Sequence, residues 1–293
     1  MLYMTDLSVI IPSYNTKDIT RRCLDSLIKN FSTDQSLSYE IIVIDNASTD
    51  SSKEMLKKYD VKTLFNEKNL GYPKANNQGT KIAKGKYILL LNSDAIIGKI
   101  DFKRLFAYFD QQPMVGGLTV RVNLTNGEMD EASHRGFPTV WNSFCYFVGL
   151  EKIFGSVPGL NRIFGGYHLK HLDLKKIHEI DSASGAFYLL KKKVLDKVNG
   201  FDDKNFFFYG EDIDLSYRIK QAGYKIIYYP DYSVLHLKYA SGLNKSNREI
   251  REQTKDHFYE AMKIFYRKHY EKKHSWIVNQ LVYFFITLKK KIS

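Results

Sequence analysis

The sequence is poor in cysteine and carries no export signal. Its 293 residues include two cysteines, Cys23 and Cys145, and neither has a CxxC partner or the spacing of a zinc site. A disulfide-stapled fold and a structural zinc centre are therefore unsupported. The chain reaches a strand-like run at Leu7 to Ile11 with no basic segment, long apolar core or small-residue cleavage site before it. We therefore expect a protein of the reducing cytoplasm.

Several functional motifs are also missing. No GxGxxG follows the first predicted strand, where PSYN stands instead, which argues against a Rossmann oxidoreductase. No GxSxG segment of a hydrolase and no known DNA- or RNA-binding motif occurs. The net charge of +12 would suit a nucleic-acid-binding module, but the last 50 residues hold 12 Lys or Arg against 5 acids. We expect no nucleic-acid partner, and the charge indicates an anionic lipid or a phosphorylated substrate.

What is present in the first half is a regular alternation of strand and helix signals. The predicted strands are SVIIP, YEIIVID, VKTLF and YILLLNSD. The predicted helices lie near Ile19 to Lys29, Ser51 to Tyr59 and Ala75 to Lys84. This order is typical of an α/β fold with a mainly parallel central sheet, helices on both faces, and ligands bound beyond the carboxyl ends of the strands.

Acidic and amide side chains stand where two of these strands end. Asp45 and Asn46 follow the buried run IIVI, and Asp94 follows the run LLL. The Asp45 carboxylate either accepts hydrogen bonds from a nucleobase and ribose or caps the next helix. Asp94 either binds a hard divalent cation together with substrate phosphates or forms an ordinary polar turn.

A third acidic group opens a predicted helix in FFFYGEDIDLSYRIKQAGYK. Asp212 lies in the first turn, where the helix dipole favours the ionised carboxylate that a general base requires. Asp214 can pair with Arg218 four residues later. The alternative is an acidic helix cap with a structural salt bridge.

Six segments then carry a resemblance to a known family. SVIIPSYN, IIVIDNASTD, NLGYPKANNQG, LLLNSD, SGAFYLLKK and FFYGEDIDLSYR occur in this order between about Ser8 and His236. They resemble the family 2 glycosyltransferases of GT-A fold, and most of all the rhamnosyltransferase-type members that build bacterial surface polysaccharides. Such an order of six motifs is hard to obtain by chance.

The resemblance implies a role for each matching residue. Those implied to bind the donor are Pro12, Tyr14, Asn15, Asp45, Asn46, Asn69, Gly71, Lys74, Asn76, Asn92 and Ser93. Within this set, Lys74 is expected to offset charge on the leaving diphosphate. Asp94 matches the metal-binding aspartate and Asp212 the catalytic base. His236 matches a histidine that reaches the metal or diphosphate in some members, although a lone histidine also serves in packing.

Two departures from the family pattern refine these expectations. The usual DxD reads Asn92, Ser93, Asp94, so the diphosphate must supply much of the coordination of Mg²⁺ or Mn²⁺. The QxxRW signature of processive synthases is absent, and Gln221 to Lys225 read QAGYK. We expect an inverting enzyme that transfers one sugar per encounter to a lipid-linked or polysaccharide acceptor, with L-rhamnose from dTDP-rhamnose as the first expected donor. A UDP-hexose donor and a non-catalytic glycan- or nucleotide-binding relative are the alternatives.

The predicted organisation is a catalytic domain at 1–240 and a basic helical segment at 241–293. The domain divides into a nucleotide-sugar-binding half at 1–115 and an acceptor-binding half at 116–240, in which Phe137 to Lys170 reads as a long loop with short helices. WIVNQLVYFFITL, at Trp276 to Leu288, is bracketed by lysines and shorter than the about 20 residues that span a bilayer. It predicts either a helix on an anionic membrane, peripheral to the inner face, or a helix packed on protein. Both a monomer and an oligomer fit the sequence.

Overall fold

A computed structural model describes residues 5–238 and 248–292. Within these ranges the chain forms nine strands and eleven α-helices. The strands are β1 (Thr5–Ser13), β2 (Tyr39–Asp45), β3 (Lys62–Phe65), β4 (Gly85–Leu90), β5 (Ala95–Ile97), β6 (Val115–Leu124), β7 (His178–Ile180), β8 (Tyr188–Lys191) and β9 (Lys225–His236). The helices are α1 (Lys17–Phe31), α2 (Ser52–Leu56), α3 (Tyr72–Ile82), α4 (Phe102–Gln111), α5 (Val140–Phe147), α6 (Leu150–Phe154), α7 (Leu160–Phe164), α8 (Lys192–Lys197), α9 (Glu211–Gln221), α10 (Arg248–His269) and α11 (Trp276–Ile292).

The strands build one central sheet in the order β3-β2-β1-β4-β8-β6-β9-β5, with β7 paired to β9. The strands β3, β2, β1 and β4 are parallel to one another. The strand β8 runs antiparallel to both β4 and β6, and β6 and β9 are again parallel. The α/β class predicted from the sequence is confirmed, with the parallel half first and a mixed half after it.

Alternate residues of the parallel strands pack into two hydrophobic layers, one on each face of the sheet. Val9 and Val43 join the layer that contains the apolar side of α1 and α4, with Leu27 fully buried. Ile10 and Ile42 join the opposite layer, which contains α3, α8 and α9. Because helices cover both faces, strands such as β2 are apolar at consecutive positions, as sheets buried on two sides require.

The predicted helices and the irregular stretch are found close to their expected positions. The helix predicted near Ile19 to Lys29 is α1, the one near Ala75 to Lys84 is α3, and the one near Ser51 to Tyr59 is the shorter α2. The stretch Phe137 to Lys170 contains the short helices α5, α6 and α7. The domain boundary predicted at residue 240 falls in 239–247, outside the described residues, and stays a prediction.

The helix α11 packs on α10 through one of its sides. The Tyr266 hydroxyl donates to Asn279 Oδ1 at 2.6 Å, and Lys290 Nζ lies 2.7 Å from Asp256 Oδ1. On the other side of α11, Phe284 remains exposed. None of the helices in 5–238 and 248–292 is both long and apolar enough to cross a membrane. The side that contacts α10 fits the alternative of a helix packed on protein, and the membrane contact of the exposed side stays a prediction.

Candidate active site

The carboxyl ends of β1, β2 and β4 meet at one edge of the sheet and open into a cavity of ≈ 2530 Å³. Eleven of the fourteen site residues predicted from the sequence line this cavity. They are Pro12, Tyr14, Asn15, Asn46, Asn69, Gly71, Asn92, Ser93, Asp94, Asp212 and His236. The cleft therefore assembles residues that are up to about two hundred positions apart in the sequence.

At the β1–β2 side of the cleft, Asp45 is buried, and only one of its two carboxylate oxygens has a hydrogen-bond partner. Its Oδ1 accepts from the backbone N–H of Ser48 at 2.9 Å, while its Oδ2 has no hydrogen-bond partner. Nearby, Asn15 Oδ1 accepts from the backbone N–H of Thr49 at 2.7 Å, which holds the loop after β1 to the loop after β2. Asp45 thus both stabilises its turn and keeps one oxygen available, although it does not itself line the cavity.

The segment between β3 and α3 is held against the sheet edge by backbone contacts. Asn46 Nδ2 donates to the Gly71 carbonyl at 3.2 Å, and Gly71 N–H donates to Asn69 Oδ1 at 2.9 Å. Gly71 has a φ of +84°, and a Cβ built on it would lie 2.6 Å from the carbonyl oxygen of Phe207. Only glycine fits this close crossing without strain, so the segment brings Asn69 into the cleft.

Lys74 and Asn76, on α3, lie outside the lining of the cavity. Lys74 Nζ pairs with Asp203 Oδ2 at 3.1 Å. The Asn76 side chain is fully buried and donates to the Tyr72 carbonyl at 3.0 Å. Neither side chain lines the cavity in this arrangement, and their contacts with the donor stay predictions.

Asp94 and His236 form a linked pair at the end of the sheet. Antiparallel pairing of β5 with β9 places Ala95 opposite His236, and His236 Nε2 lies 3.1 Å from Asp94 Oδ1. On the other ring nitrogen, His236 Nδ1 lies 2.8 Å from Asp130 Oδ2. Burial lowers the pKa of His236, but hydrogen bonds to Asp130 and Asp94 outweigh burial and raise it to about 9. Asp130 was not singled out from the sequence.

The pair has the donor chemistry of a small divalent-cation site. Once Nε2 of His236 releases its proton, one carboxylate and one imidazole would leave most coordination positions to phosphate oxygens and water, as Mg²⁺ and Mn²⁺ prefer. The hydrogen bond from His236 Nδ1 to Asp130 orients the ring in the way that metal-binding histidines usually require. Among the described residues no three His, Cys, Asp or Glu side chains cluster as a ready-made metal site. Asp94 and His236 fit a cation that arrives with a diphosphate.

Across the cleft, Asp212 in the first turn of α9 is ion-paired with Arg135. Arg135 Nη2 donates to Asp212 Oδ2 at 2.7 Å, and the side chains are 11% and 15% exposed. Burial lowers the pKa of Arg135, but the Asp212 charge outweighs burial and raises it above its usual range. Arg135 therefore stays charged and fixes the carboxylate. Arg135 lies in the segment between β6 and α5, and no motif in the sequence indicated that it would contact Asp212.

The acidic neighbours of Asp212 have different environments. Burial, followed by the charge of Asp212, raises the pKa of Glu211, which favours its protonated form. Asp214 does not line the cavity and is bound by Arg218, Lys268 and His269. The predicted pair of Asp214 with Arg218 is confirmed at 2.8 Å. Of the three acids, Asp212 is the one suited to accept a proton in the cleft.

Unsatisfied buried polar atoms concentrate in this cleft. Nine buried side-chain nitrogen or oxygen atoms in the described part of the chain lack a hydrogen-bond partner, and five of them belong to residues that line the cavity. These five residues are Tyr72, Asn92, Arg135, Ser184 and Glu211. Since native proteins satisfy nearly all buried polar groups, this concentration marks the place where a polar ligand supplies partners.

Comparison with known proteins gives the fold and the family. Residues 8–174 match Glycosyl transferase family 2, and residues 167–291 match Glycosyl transferase family group 2. A solved mannosyltransferase, PcManGT from Pyrobaculum calidifontis in complex with GDP-Man and Mn²⁺, superposes with a TM-score of 0.58 at 16% identity, covering 89% of this chain and 64% of that chain. This likeness confirms the GT-A fold.

Two curated relatives align over longer parts of the chain. The poly(ribitol-phosphate) beta-glucosyltransferase of Bacillus spizizenii is 30% identical over 216 residues, which are 64% of this chain and 32% of that protein, so the chain spans about a third of its length. The rhamnosyltransferase WbbL of Escherichia coli is 25% identical over 245 residues, which are 81% of this chain and 85% of that protein. Because the family 2 match alone covers more than half of the sequence, this chain belongs to the family 2 glycosyltransferases.

Proposed function

We propose that this chain is an inverting, non-processive glycosyltransferase of bacterial surface-glycan synthesis. It moves a sugar from a nucleoside diphosphate donor to a lipid-linked or polysaccharide acceptor. The observation that carries the proposal is the single cleft that holds both the Asp94–His236 pair and the Asp212–Arg135 pair. The first pair suits a leaving diphosphate, and the second suits proton removal from an attacking hydroxyl.

Asp212 acts as the general base. The acceptor hydroxyl oxygen attacks the anomeric carbon, its proton passes to the Asp212 carboxylate, and the bond from that carbon to the diphosphate oxygen breaks with its electron pair. One displacement on the face opposite the leaving group inverts the anomeric centre. Arg135 and the first turn of α9 orient the carboxylate before the acceptor binds.

The leaving group is bound at the Asp94 side of the cleft. Mg²⁺ or Mn²⁺ held by Asp94 and His236 would supply positive charge that offsets the charge of the departing diphosphate. Asn92 and Ser93 line the cavity beside them and offer polar contacts to the donor. Lys74 would have to leave Asp203 to reach the diphosphate.

The nucleoside is bound between the loops after β1 and β2 and the segment that contains Asn69 and Gly71. We propose that Asp45, whose buried Oδ2 has no hydrogen-bond partner, accepts from the base once the donor reaches behind the cavity lining, and that Tyr14, 46% exposed, packs against the base. We propose dTDP-rhamnose as the donor, which the similarity to a rhamnosyltransferase supports. A UDP-hexose is the second candidate, favoured by the similarity to a beta-glucosyltransferase.

We further propose that the protein works at the cytoplasmic face of the cell membrane. The exposed apolar side of α11 and the lysines at 289–291 suit an interfacial helix on anionic lipid. Each lysine near such a surface contributes on the order of 1 kcal/mol.

The direct test is a screen of nucleotide sugars for metal-dependent release of nucleoside diphosphate. We expect release from dTDP-rhamnose or a UDP-hexose with Mn²⁺, and a product of inverted anomeric configuration by NMR. Calorimetry with the nucleoside diphosphate and Mn²⁺ tests the metal pair, because Asp94→Ala should abolish metal-dependent binding in a protein that circular dichroism shows to be folded. Wild-type affinity in this variant would exclude Asp94 as the ligand. A protein that binds donors but transfers none would be the non-catalytic relative.

A further inference from the structure

The cavity that contains the candidate active site is larger than a nucleotide sugar requires. Its volume is ≈ 2530 Å³, whereas sites for small molecules usually occupy roughly 300–1,000 Å³. Beyond the polar sheet edge, the cavity is lined by residues of α5, α10 and α11. We call this part the apolar groove, and its lining includes Trp141, Phe144, Phe258, Leu281 and Phe285.

Several aromatic side chains that line the apolar groove are exposed instead of buried against other side chains. Trp141 is 48% exposed, Phe144 is 44% exposed and Phe285 is 54% exposed, although all three line the same cavity. The walls approach each other at one end, where Lys289 Nζ of α11 lies 5.8 Å from the ring centre of Phe147 in α5. A contiguous exposed apolar surface of this kind is typical of a site that binds an apolar ligand or a membrane.

The helix α11 connects the groove to a second apolar surface. Six exposed residues recur at three- and four-residue spacing and so share one side of the helix. They are Ile277, Leu281, Phe284, Phe285, Leu288 and Ile292. Asn279 and Lys290, which bond to α10, lie on the opposite side. Four of the six, including Phe285, line the groove, whereas Ile277 and Phe284 do not.

Charge at the groove matches a phosphate at the end of an apolar chain. Lys273 and Lys289 line the same cavity as the aromatic walls. Lys291 follows in the last turn of α11, whereas Lys290 pairs with Asp256 on the opposite side of the helix. A membrane lipid with a phosphate or diphosphate headgroup has both parts, an apolar chain for the groove and an anionic group for the lysines.

We propose that the apolar groove binds the hydrocarbon chain of a lipid phosphate or diphosphate that carries the acceptor sugar. The part of the stripe outside the groove, at Ile277 and Phe284, rests on the membrane from which this lipid comes, and the sugar end of the lipid enters the cleft at Asp212. This inference rests on the proposed function, since it selects the lipid-linked acceptor from the two acceptor classes. Recognition of the chain explains how an acceptor is held while one hydroxyl reaches the base.

The test uses farnesyl phosphate as a soluble probe, below the concentration at which it aggregates. The sequence has two tryptophans, Trp141 and Trp276, so Trp276→Phe leaves Trp141 as the reporter inside the groove. We expect a saturable blue shift of Trp141 emission with farnesyl phosphate and none with inorganic phosphate. Each buried CH₂ group contributes about 0.8 kcal/mol, or about fourfold in affinity, so geranyl phosphate, five carbons shorter, should bind at least about tenfold more weakly.

Two adjacent phenylalanines provide a matched pair of variants. Phe285 and Phe284 are 54% and 59% exposed on the same turn of α11, but only Phe285 lines the groove. In the Trp276→Phe background, Phe285→Glu should weaken farnesyl phosphate binding at least about tenfold, the effect of losing contact with two CH₂ groups. Phe284→Glu should change it less than about twofold. Circular dichroism melting curves of both variants check that each is folded.

The outcomes separate this inference from the proposed function. Equal effects of the two variants, or an equal shift with inorganic phosphate, would overturn the groove as the site of the chain. Nucleoside diphosphate binding with Mn²⁺ is measured on the same proteins. If the diphosphate binds and farnesyl phosphate does not, the groove assignment is wrong and the proposed function stands. If farnesyl phosphate binds to the groove and no nucleotide does, the lipid site stands and the proposed function is wrong.

Discussion

Replacing Asp214 by asparagine tests whether the structural and catalytic carboxylates of α9 are correctly distinguished. Asp214 is fully buried and accepts from Arg218 Nε at 2.8 Å. The same carboxylate lies 2.7 Å from Lys268 Nζ and 2.7 Å from His269 Nε2, so it ties α9 to α10. Asparagine has a similar shape but no charge, and it leaves the Arg218 and Lys268 cations poorly compensated beside a buried position.

The expected loss of stability is large. Removing one partner of a buried ion pair costs about 3 to 5 kcal/mol, and each kcal/mol shifts the melting temperature of a domain of this size by roughly 2 to 4 °C. We therefore expect Asp214→Asn to melt on the order of 10 °C below the wild type. Burial raises the pKa of Asp214, but His269, Arg218 and Lys268 outweigh burial and lower it from 3.8 to about 2. Its stabilisation is thus complete above 3.8 and is lost as the pH falls toward 2.

The assay is a set of melting curves, recorded from neutral pH down through this range, for the wild type, Asp214→Asn and Asp212→Asn. The gap between wild type and Asp214→Asn should narrow as the pH falls below 3.8. Asp212→Asn leaves Arg135 without its charged partner, so it should also melt below the wild type at neutral pH, but by less than Asp214→Asn because Asp212 has one cationic partner and its side chain is 15% exposed. A melting temperature of Asp214→Asn within about 2 °C of the wild type would refute the reasoning, because the loss of a buried ion pair should lower the stability by more than such a shift indicates.

Two further predictions concern the Arg135 contact and the exposed side of α11. Arg135→Gln should lower kcat roughly tenfold to a hundredfold, because loss of a group that orients a functional side chain usually has an effect of this size. Donor affinity should not change, and Arg135→Lys should restore part of the lost kcat. Equal kcat in the wild type, Arg135→Gln and Arg135→Lys would contradict a positioning role. Ile277→Glu combined with Phe284→Glu should reduce co-sedimentation with anionic vesicles without loss of donor hydrolysis, and unchanged sedimentation would exclude this side as the membrane contact.

The fold and most of the cleft are predictable from the sequence because they depend on local patterns. Apolar runs such as Ile41 to Ile44 specify buried strands, and the polar residues that follow them must lie at the carboxyl edge of a parallel sheet. Asp45, Asp94 and Asp212 could therefore be identified from their positions in β2, after β4 and at the start of α9. The order of the motifs then indicated the family, and the family resemblance implied a role for each residue.

The partners of these residues were not predictable in the same way. Asp130 and Arg135 lie between β6 and α5, before the irregular stretch. Asp130 contacts His236, 106 residues away, and Arg135 contacts Asp212, 77 residues away. No periodic pattern encodes such contacts, since they depend on how β6, β9 and α9 are arranged in three dimensions. Lys74 was identified from its motif, but the motif does not reveal Asp203, which pairs with Lys74 in three dimensions and would compete with the donor diphosphate.

The measurement that tests the central claim most directly is sugar transfer by Asp212→Asn. This variant keeps the shape of the side chain and removes the proton acceptor, so the rate of transfer should fall about a hundredfold to ten-thousandfold. Donor affinity, recorded on the same protein, should stay near that of the wild type, and the melting temperature recorded alongside checks that the protein is folded without the Asp212–Arg135 ion pair. Near-normal transfer would contradict the assignment of Asp212 as the base.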